Sequence, residues 1–297
     1  MIDRTKLPLC RTAPDAPLTE GTLLLEGGAF RGVYTSGVCD VLLENGIRFR
    51  NVAGISAGSL NGMNYMADQI GRTANINIGC LDNKKFLGWR TLFRDRGLLG
   101  FRFLLEDAYE MYPFDRERVA NPERRFAIGA TDIATGKEVY FERTNCSDLE
   151  KACVASSSLR GISHPVKLDS RKFLDGGYAE SIPYSWAEEN GFQRLVVVMT
   201  SPKDHIHAPH KTKKGIFSRL HPQFAATEES MIERYQQLRE KIQANERAGK
   251  TFVIAPATTG SVGAFERNPE KLIALYREGR DDAERLLPAL KEFLRTE

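Results

Sequence analysis

From residue 22 onward, short apolar runs alternate with stretches of helical period. Leu23-Leu24-Leu25 predicts a strand over residues 22–26. After a glycine-rich loop, Tyr34, Val38, Val41 and Leu42 recur at i, i+4, i+7 and i+8, which is one apolar helical face. Asn45-Gly46 marks the end of that helix. Phe49, Val52 and Ile55 predict a second strand, and residues 57–67 a second helix with Leu60, Asn64 and Ala67 on one face. Strand, helix, strand, helix in so short a span predicts a right-handed parallel βαβ unit.

Downstream, residues 126–142 read as two strands joined by the turn Ala134-Thr135-Gly136-Lys137. Residues 149–158 suit a short helix, and residues 171–178 a short strand ending in Asp175-Gly176-Gly177. A helix over 182–190 follows. The run Arg194 to Thr200 is apolar enough for a central parallel strand. A charged amphipathic helix is predicted over 228–248 and a last strand over 250–255. From Pro269, Leu272, Leu275, Tyr276, Gly279, Ala283, Leu286 and Leu287 keep helical spacing, and Pro288 is expected to end that helix or start another. Residues 1–21 hold three prolines and little periodicity, so they read as a surface arm.

Two stretches break the alternation. Residues 72–124 interleave Phe, Trp and Leu with Arg and Lys. That mixture suits a cap whose aromatics pack on the main domain better than an interfacial lid, because exposed apolar patches that large are uncommon. Residues 201–222 hold four of the five histidines, at 205, 207, 210 and 221, among Lys203, Lys211, Lys213, Lys214 and Arg219. With prolines and one acid, Asp204, the run reads as a mobile basic loop rather than a metal cluster, able to touch phosphate or an anionic lipid surface.

Composition narrows the classes without choosing among them. A net charge of +3 is too small to argue for nucleic acid. No apolar run approaches the ~20 residues of a membrane span. The N-terminus lacks an apolar core of signal-peptide length, which favours a cytoplasmic protein. The five cysteines are scattered and form no Cys-x-x-Cys pair, so neither a disulfide framework nor a zinc site is expected. No metal and no cofactor are called for.

The chemistry concentrates in three turns. Gly54-Ile55-Ser56-Ala57-Gly58 matches the nucleophile elbow, in which small neighbours let a serine stand on a sharp strand-to-helix turn. The helix after it aims its free N–H groups at whatever sits by Ser56. The loop Gly27-Gly28-Ala29-Phe30-Arg31-Gly32 can bring backbone N–H groups close to a substrate oxygen, with Arg31 reinforcing the field. Asp175-Gly176-Gly177 places a carboxylate at a strand end, where open α/β sheets put their sites. Ser156, Ser157 and Ser158 lack flanking glycines and read as capping or packing their turn.

The base stays open on residues alone. A histidine is usual, which would make a triad of Ser56, Asp175 and His207 or His210. His164 is a further candidate. Asp175 needs no histidine if it reaches Ser56 directly and desolvation makes it basic enough. A non-catalytic phosphate or dinucleotide site is a third reading, on the imperfect fingerprint Gly27-x-Ala29-x-x-Gly32.

The three turns, in this order, resemble the patatin-like phospholipase family, which carries a G-G-G-x-R/K-G loop, a G-x-S-x-G elbow and a D-G-G/A turn. The likeness covers roughly residues 22–200, and the tail around Tyr276-Arg277-Glu278-Gly279 is similar to bacterial members. It implies a three-layer α/β fold with a mostly parallel sheet and helices on both faces. It implies a 1–21 arm, a 22–200 catalytic domain with the 72–124 insertion, and a 201–297 helical region with one strand packed on the same domain. It further implies a Ser56–Asp175 dyad, an oxyanion hole around Gly28 and Ala29, and hydrolysis of lipid acyl esters through an acyl-serine, with transient membrane contact. Ala29 departs from the pattern, standing where the family has its third glycine.

Overall fold

In the computed structural model, which describes residues 2–86, 91, 100, 103–205, 215–258 and 262–295 (side chains of 104 and 105 excepted), the apolar runs become strands of one twisted sheet. In chain order the strands are β1 (Arg11–Thr12), β2 (Thr19–Leu25), β3 (Phe49–Ile55), β4 (Gln69–Ile70), β5 (Arg125–Asp132), β6 (Glu138–Phe141), β7 (Val166–Leu168), β8 (Arg171–Asp175), β9 (Leu195–Val198) and β10 (Thr251–Ile254). The principal helices are α1 (Val33–Glu44), α2 (Ala57–Met66), α3 (Leu149–Ser156), α4 (Met231–Arg247) and α5 (Pro269–Arg295).

The eight-stranded sheet has the order β10-β9-β2-β3-β5-β8-β7, with β6 on β5. Strands β10, β9, β2, β3 and β5 run parallel, while β6 and β8 run antiparallel to β5, and β7 antiparallel to β8. Successive residues of β2 face opposite sides. Leu23 and Leu25 join a core formed with α1, α2 and α5, while Leu24 joins one formed with Tyr184, Trp186, Tyr235 and Ile242. Helices therefore cover both faces, which is why β9 is buried at every position rather than alternating.

One strand edge positions the site. β6 pairs with residues 128–131 of β5, so it occupies one edge there. β3 pairs with β5 up to Gly129, and β8 pairs with β5 from Ala130 onward, so both lie on the other edge. They run in opposite senses and meet end to end. Ile55 sits opposite Gly129 and Asp175 opposite Ala130.

The C-terminal region belongs to the same body. β10 extends the sheet beside β9, and α5 crosses α1 antiparallel at very close range. Both helices carry Tyr, Gly and Asp at i, i+3 and i+6. Tyr34 donates to Asp282 at 2.8 Å and Tyr276 donates to Asp40 at 2.7 Å. Between these bonds, a Cβ on Gly37 would overlap the Tyr276 carbonyl, and one on Gly279 the Tyr34 carbonyl. Glycine is required at both by contact. The crossing anchors α1, and α1 continues directly from the glycine loop.

Two expectations are corrected, and other elements are added. The N-terminal arm carries β1, which pairs with β4, and its Ala13 is buried. Pro288 neither ends nor starts a helix. α5 runs through it because Leu290, Phe293 and Leu294 extend the apolar face and offset the lost hydrogen bond. The charged helix is interrupted at Ser230, giving a separate helix Pro222–Glu229 before α4. β7 was not foreseen. In residues 72–124, Phe86 and Phe103 are buried, Phe86 packing edge to face on Phe30 and Phe103 lying tilted against Phe86; Trp89 lies outside the described residues. Among the described residues no helix is long and apolar enough to cross a membrane.

Gly279→Ala should lower stability by about 2 kcal/mol or more, since the new methyl meets backbone that cannot rotate away. Chemical denaturation beside Gly249→Ala, whose position is open but has φ +71°, would separate crowding from backbone strain.

Candidate active site

Ser56 stands between β3 and α2 with φ 53° and ψ −122°, a conformation that costs a non-glycine residue of order 1–3 kcal/mol. The elbow tolerates it because the turn is compressed from both sides. A Cβ on Gly58 would overlap the Leu25 carbonyl, and one on Gly54 would overlap Gly58. A third contact holds the turn. The Ser56 N–H donates to Ser156 Oγ at 2.7 Å, and Ser156 Oγ donates onward to the Gly129 carbonyl at 2.6 Å. Ser156 is thus neither a spare nucleophile nor a simple cap, but a clamp between α3, the elbow and β5.

The end-to-end meeting of β3 and β8 delivers the carboxylate. Ser56 Oγ donates to Asp175 Oδ2 at 2.7 Å. Asp175 Oδ1 accepts the Gly177 N–H at 2.8 Å, and Thr131 Oγ1 donates to the Asp175 carbonyl at 2.8 Å. Asp175 is 3 % exposed. That burial pushes its pKa from 3.8 up to about 6, against the lowering effect of the bonds from Ser56 and Gly177. Gly176 lies against Gly129 and Ile55, where the two strand ends meet.

The glycine loop keeps its shape despite Ala29, which adopts φ 50°. Gly27 donates its N–H to the Ser181 carbonyl at 3.0 Å, and Phe30 donates to Ala264 at 3.1 Å. The N–H groups of Gly28 and Ala29 have no acceptor among the described residues. The expectation of donors throughout the loop therefore narrows to these two. Gly32 instead seats the loop on α2: it touches Ala57, and its carbonyl accepts Asn61 Nδ2 at 3.0 Å. Arg31 lines the cavity with its Nε buried and without an acceptor.

Two cavities meet at Ser56 and share Ala29, Leu159 and Phe265. One, of about 80 Å³, is lined largely by apolar groups including Phe30, Leu60 and Ile162. The other, of about 290 Å³, is lined by Arg31, Asp175, Glu26 and Tyr235. Glu26 is buried, accepts hydrogen bonds from Tyr235 and Thr200, and has its pKa pushed up by desolvation. Glu26 and Tyr235 were not singled out in the sequence. A lone acid before a glycine loop and a tyrosine in a charged helix carry no local signal.

Among the described residues, the histidines make no bond to the site. His164 is exposed, and no histidine among the described residues bonds Ser56 or Asp175. His207 and His210 lie outside the described residues, as do Lys211, Lys213 and Lys214.

The site thus brings a buried serine on a strained strand-to-helix turn into direct hydrogen-bond contact with a buried aspartate. The sequence profile of the patatin-like phospholipases matches residues 23–187, more than half of the chain, and the chain belongs to that family. A domain of unknown function (DUF6363) matches residues 221–295. The chain is 26% identical over 197 residues to the uncharacterized protein YjjU of Escherichia coli, covering 65% of this chain and 55% of that one. It is 28% identical to an uncharacterized NTE family protein of Mycobacterium tuberculosis, covering 54% of this chain and 43% of that one. It is 27% identical to the lysophospholipase NTE1 of Meyerozyma guilliermondii, covering 59% of this chain and 12% of that one. The chain thus spans about half the length of the first curated relatives it matches. The crystal structure of VipD from Legionella pneumophila shares the fold, with a TM-score of 0.53 at 12% identity over 94% of this chain and 68% of that one.

Ser156→Ala should lower stability by about 1–2 kcal/mol in chemical denaturation, because it strands the Ser56 N–H and the Gly129 carbonyl. Ser157→Ala, which removes a buried hydroxyl with no partner, should cost far less. Ala29→Gly should stabilise by up to about 1 kcal/mol, measured in the same way, by relieving the left-handed alanine.

Proposed function

We propose that this protein is a lipid acyl hydrolase with Ser56 as nucleophile and Asp175 as general base. The observation that carries the reading is the 2.7 Å bond from Ser56 Oγ to a buried carboxylate. As Oγ attacks an ester carbonyl, its proton passes to Asp175 Oδ2. Desolvation raises the affinity of the carboxylate for that proton, and the Gly177 N–H keeps it oriented. The developing oxyanion is held by the N–H groups of Gly28 and Ala29 at the start of the loop. Asp175 gives that proton to the departing oxygen, which leaves as the alcohol; an acyl-serine remains, and water resolves it with the ionised Asp175 as base again.

The shape of the cavity supports an ester of a lipid. The narrow apolar lobe takes the acyl chain, and the wider lobe, where Arg31 and Glu26 lie, takes the alcohol side. Phe265, half exposed at the rim of both lobes, is where a chain would enter from a lipid surface. The lysophospholipase among the relatives agrees with this class of substrate.

Ser56→Ala and Asp175→Asn should each reduce kcat on medium-chain nitrophenyl esters by roughly 10³-fold or more, whereas His164→Ala should leave it unchanged. Full activity of folded Asp175→Asn would sink the dyad. The pH profile is a second check. kcat/KM should fall as pH drops through about 6, where Asp175 takes up a proton and ceases to be a base. Folding moves the other way. The native state binds this proton more tightly than the unfolded chain, so the contribution of Asp175 to stability increases as pH falls from about 6 toward 4. Activity should therefore be lost on the acid side before the fold is.

A further inference from the structure

Beyond the apolar lobe at Ser56 lies a second narrow cavity, of about 50 Å³, which adjoins it at Leu60 and Asn77, residues that line both. The far cavity is bounded by Met63, Asn64, Tyr109, Phe114 and the guanidinium of Arg72. Arg72 is 4 % exposed. Its Nη1 donates to Asn64 Oδ1 at 2.6 Å and its Nε to the Tyr112 carbonyl at 2.9 Å, while Nη2 is buried with no acceptor.

This cation is held without being neutralised. The guanidinium carbon lies 4.9 Å from the Tyr109 ring centroid and 4.8 Å from that of Phe114, and the two rings stack 5.2 Å apart. Glu150, the carboxylate whose field reaches Arg72, is gripped at both oxygens by Arg116. Desolvation lowers the pKa of Arg72 to about 10, so it stays charged at neutral pH. A buried charge with an unspent N–H is costly unless something in the cavity completes it.

α2 sets the spacing. Ser56 caps its N-terminus, and Asn64, which holds Arg72, lies eight residues further on, ~12 Å along the axis. Leu60 lines the path between them. We propose that the acyl lobe accepts a chain ending in a carboxylate, with its ester carbonyl at Ser56 and its far carboxylate on Arg72 Nη2. Such chains arise when an unsaturated acyl chain is cleaved oxidatively at a double bond. A methyl-terminated chain of equal length would leave Nη2 unpaired and present hydrocarbon to a cation. This inference rests on the acyl hydrolase reading, and the two can fail separately.

The test compares nitrophenyl octanoate with the mono-nitrophenyl ester of octanedioate, on wild type, Arg72→Met and Asn64→Asp. Wild type should favour the carboxylate-terminated ester at least tenfold in kcat/KM. Arg72→Met should reverse that preference. Asn64→Asp, which supplies a carboxylate from the protein itself, should abolish the preference and so keeps the test decisive if Arg72→Met does not fold. A wild type that prefers the methyl-terminated ester, or a preference that survives both variants, overturns the inference while leaving the hydrolase reading intact. If neither ester is hydrolysed, the hydrolase reading fails, and calorimetry on Ser56→Ala decides the pocket. Octanedioate binding that requires Arg72 supports it, and absence of binding, as for a site filled by water, overturns it. Free octanoate binding as tightly as octanedioate, also through Arg72, would replace the esterified chain with a free acid.

Discussion

Everything at the site depends on two strands sharing one edge of β5. β3 arrives parallel and stops opposite Gly129, and β8 arrives antiparallel and stops opposite Ala130. Their ends carry Ser56 and Asp175, separated by 119 positions in the chain and by 2.7 Å in space. A one-residue slip of β8 would turn Asp175 to the other face of the sheet, because side chains alternate with period two. The register of β5 against both partners therefore sets the geometry of the pair. Thr131 reinforces it by bonding the Asp175 carbonyl from within β5.

The site also holds two residues in conformations they would not choose. Ser56 and Ala29 both have positive φ. Neither is stabilised locally, so the surroundings must over-determine them. For Ser56 the restraint is the packing of Gly54 and Gly58 together with the Ser156 clamp. For Ala29 it is the position of the loop between Ala264, Ser181 and α2, backed by α1 and its exchange of tyrosine–aspartate bonds with α5. The C-terminal helix thus acts on the loop through α1 without touching a substrate.

Burial shifts the pKa of three ionisable groups around the cavities. The carboxyls of Asp175 and Glu26 both have their pKa raised by desolvation, yet of the two only Asp175 bonds Ser56. Glu26 is spent on Thr200 and Tyr235 and so ties α4 to the wall of the wider lobe. Arg72, in the cavity adjoining the apolar lobe, is the third such group and the one whose hydrogen bonding is incomplete.

The sequence by itself determined the parallel core, because strands buried on both faces must be continuously apolar, and Leu23 to Leu25 and Leu195 to Val198 are. It determined the elbow and the glycine loop, because a serine on a sharp turn needs small neighbours close by in the chain. It singled out Asp175 by its glycine turn, but the assignment of that carboxylate to Ser56 came from resemblance rather than from spacing. Only the tertiary structure decided the rest. The edge shared by β3 and β8, the Ser156 clamp, the loss of Gly27 as a donor to Ser181, the continuation of α5 through Pro288 and the placement of Glu26, Tyr235 and Arg72 are all contacts between distant segments. Such contacts leave no periodic trace, since they are set by strand register and helix crossing rather than by any residue's preference for its neighbours.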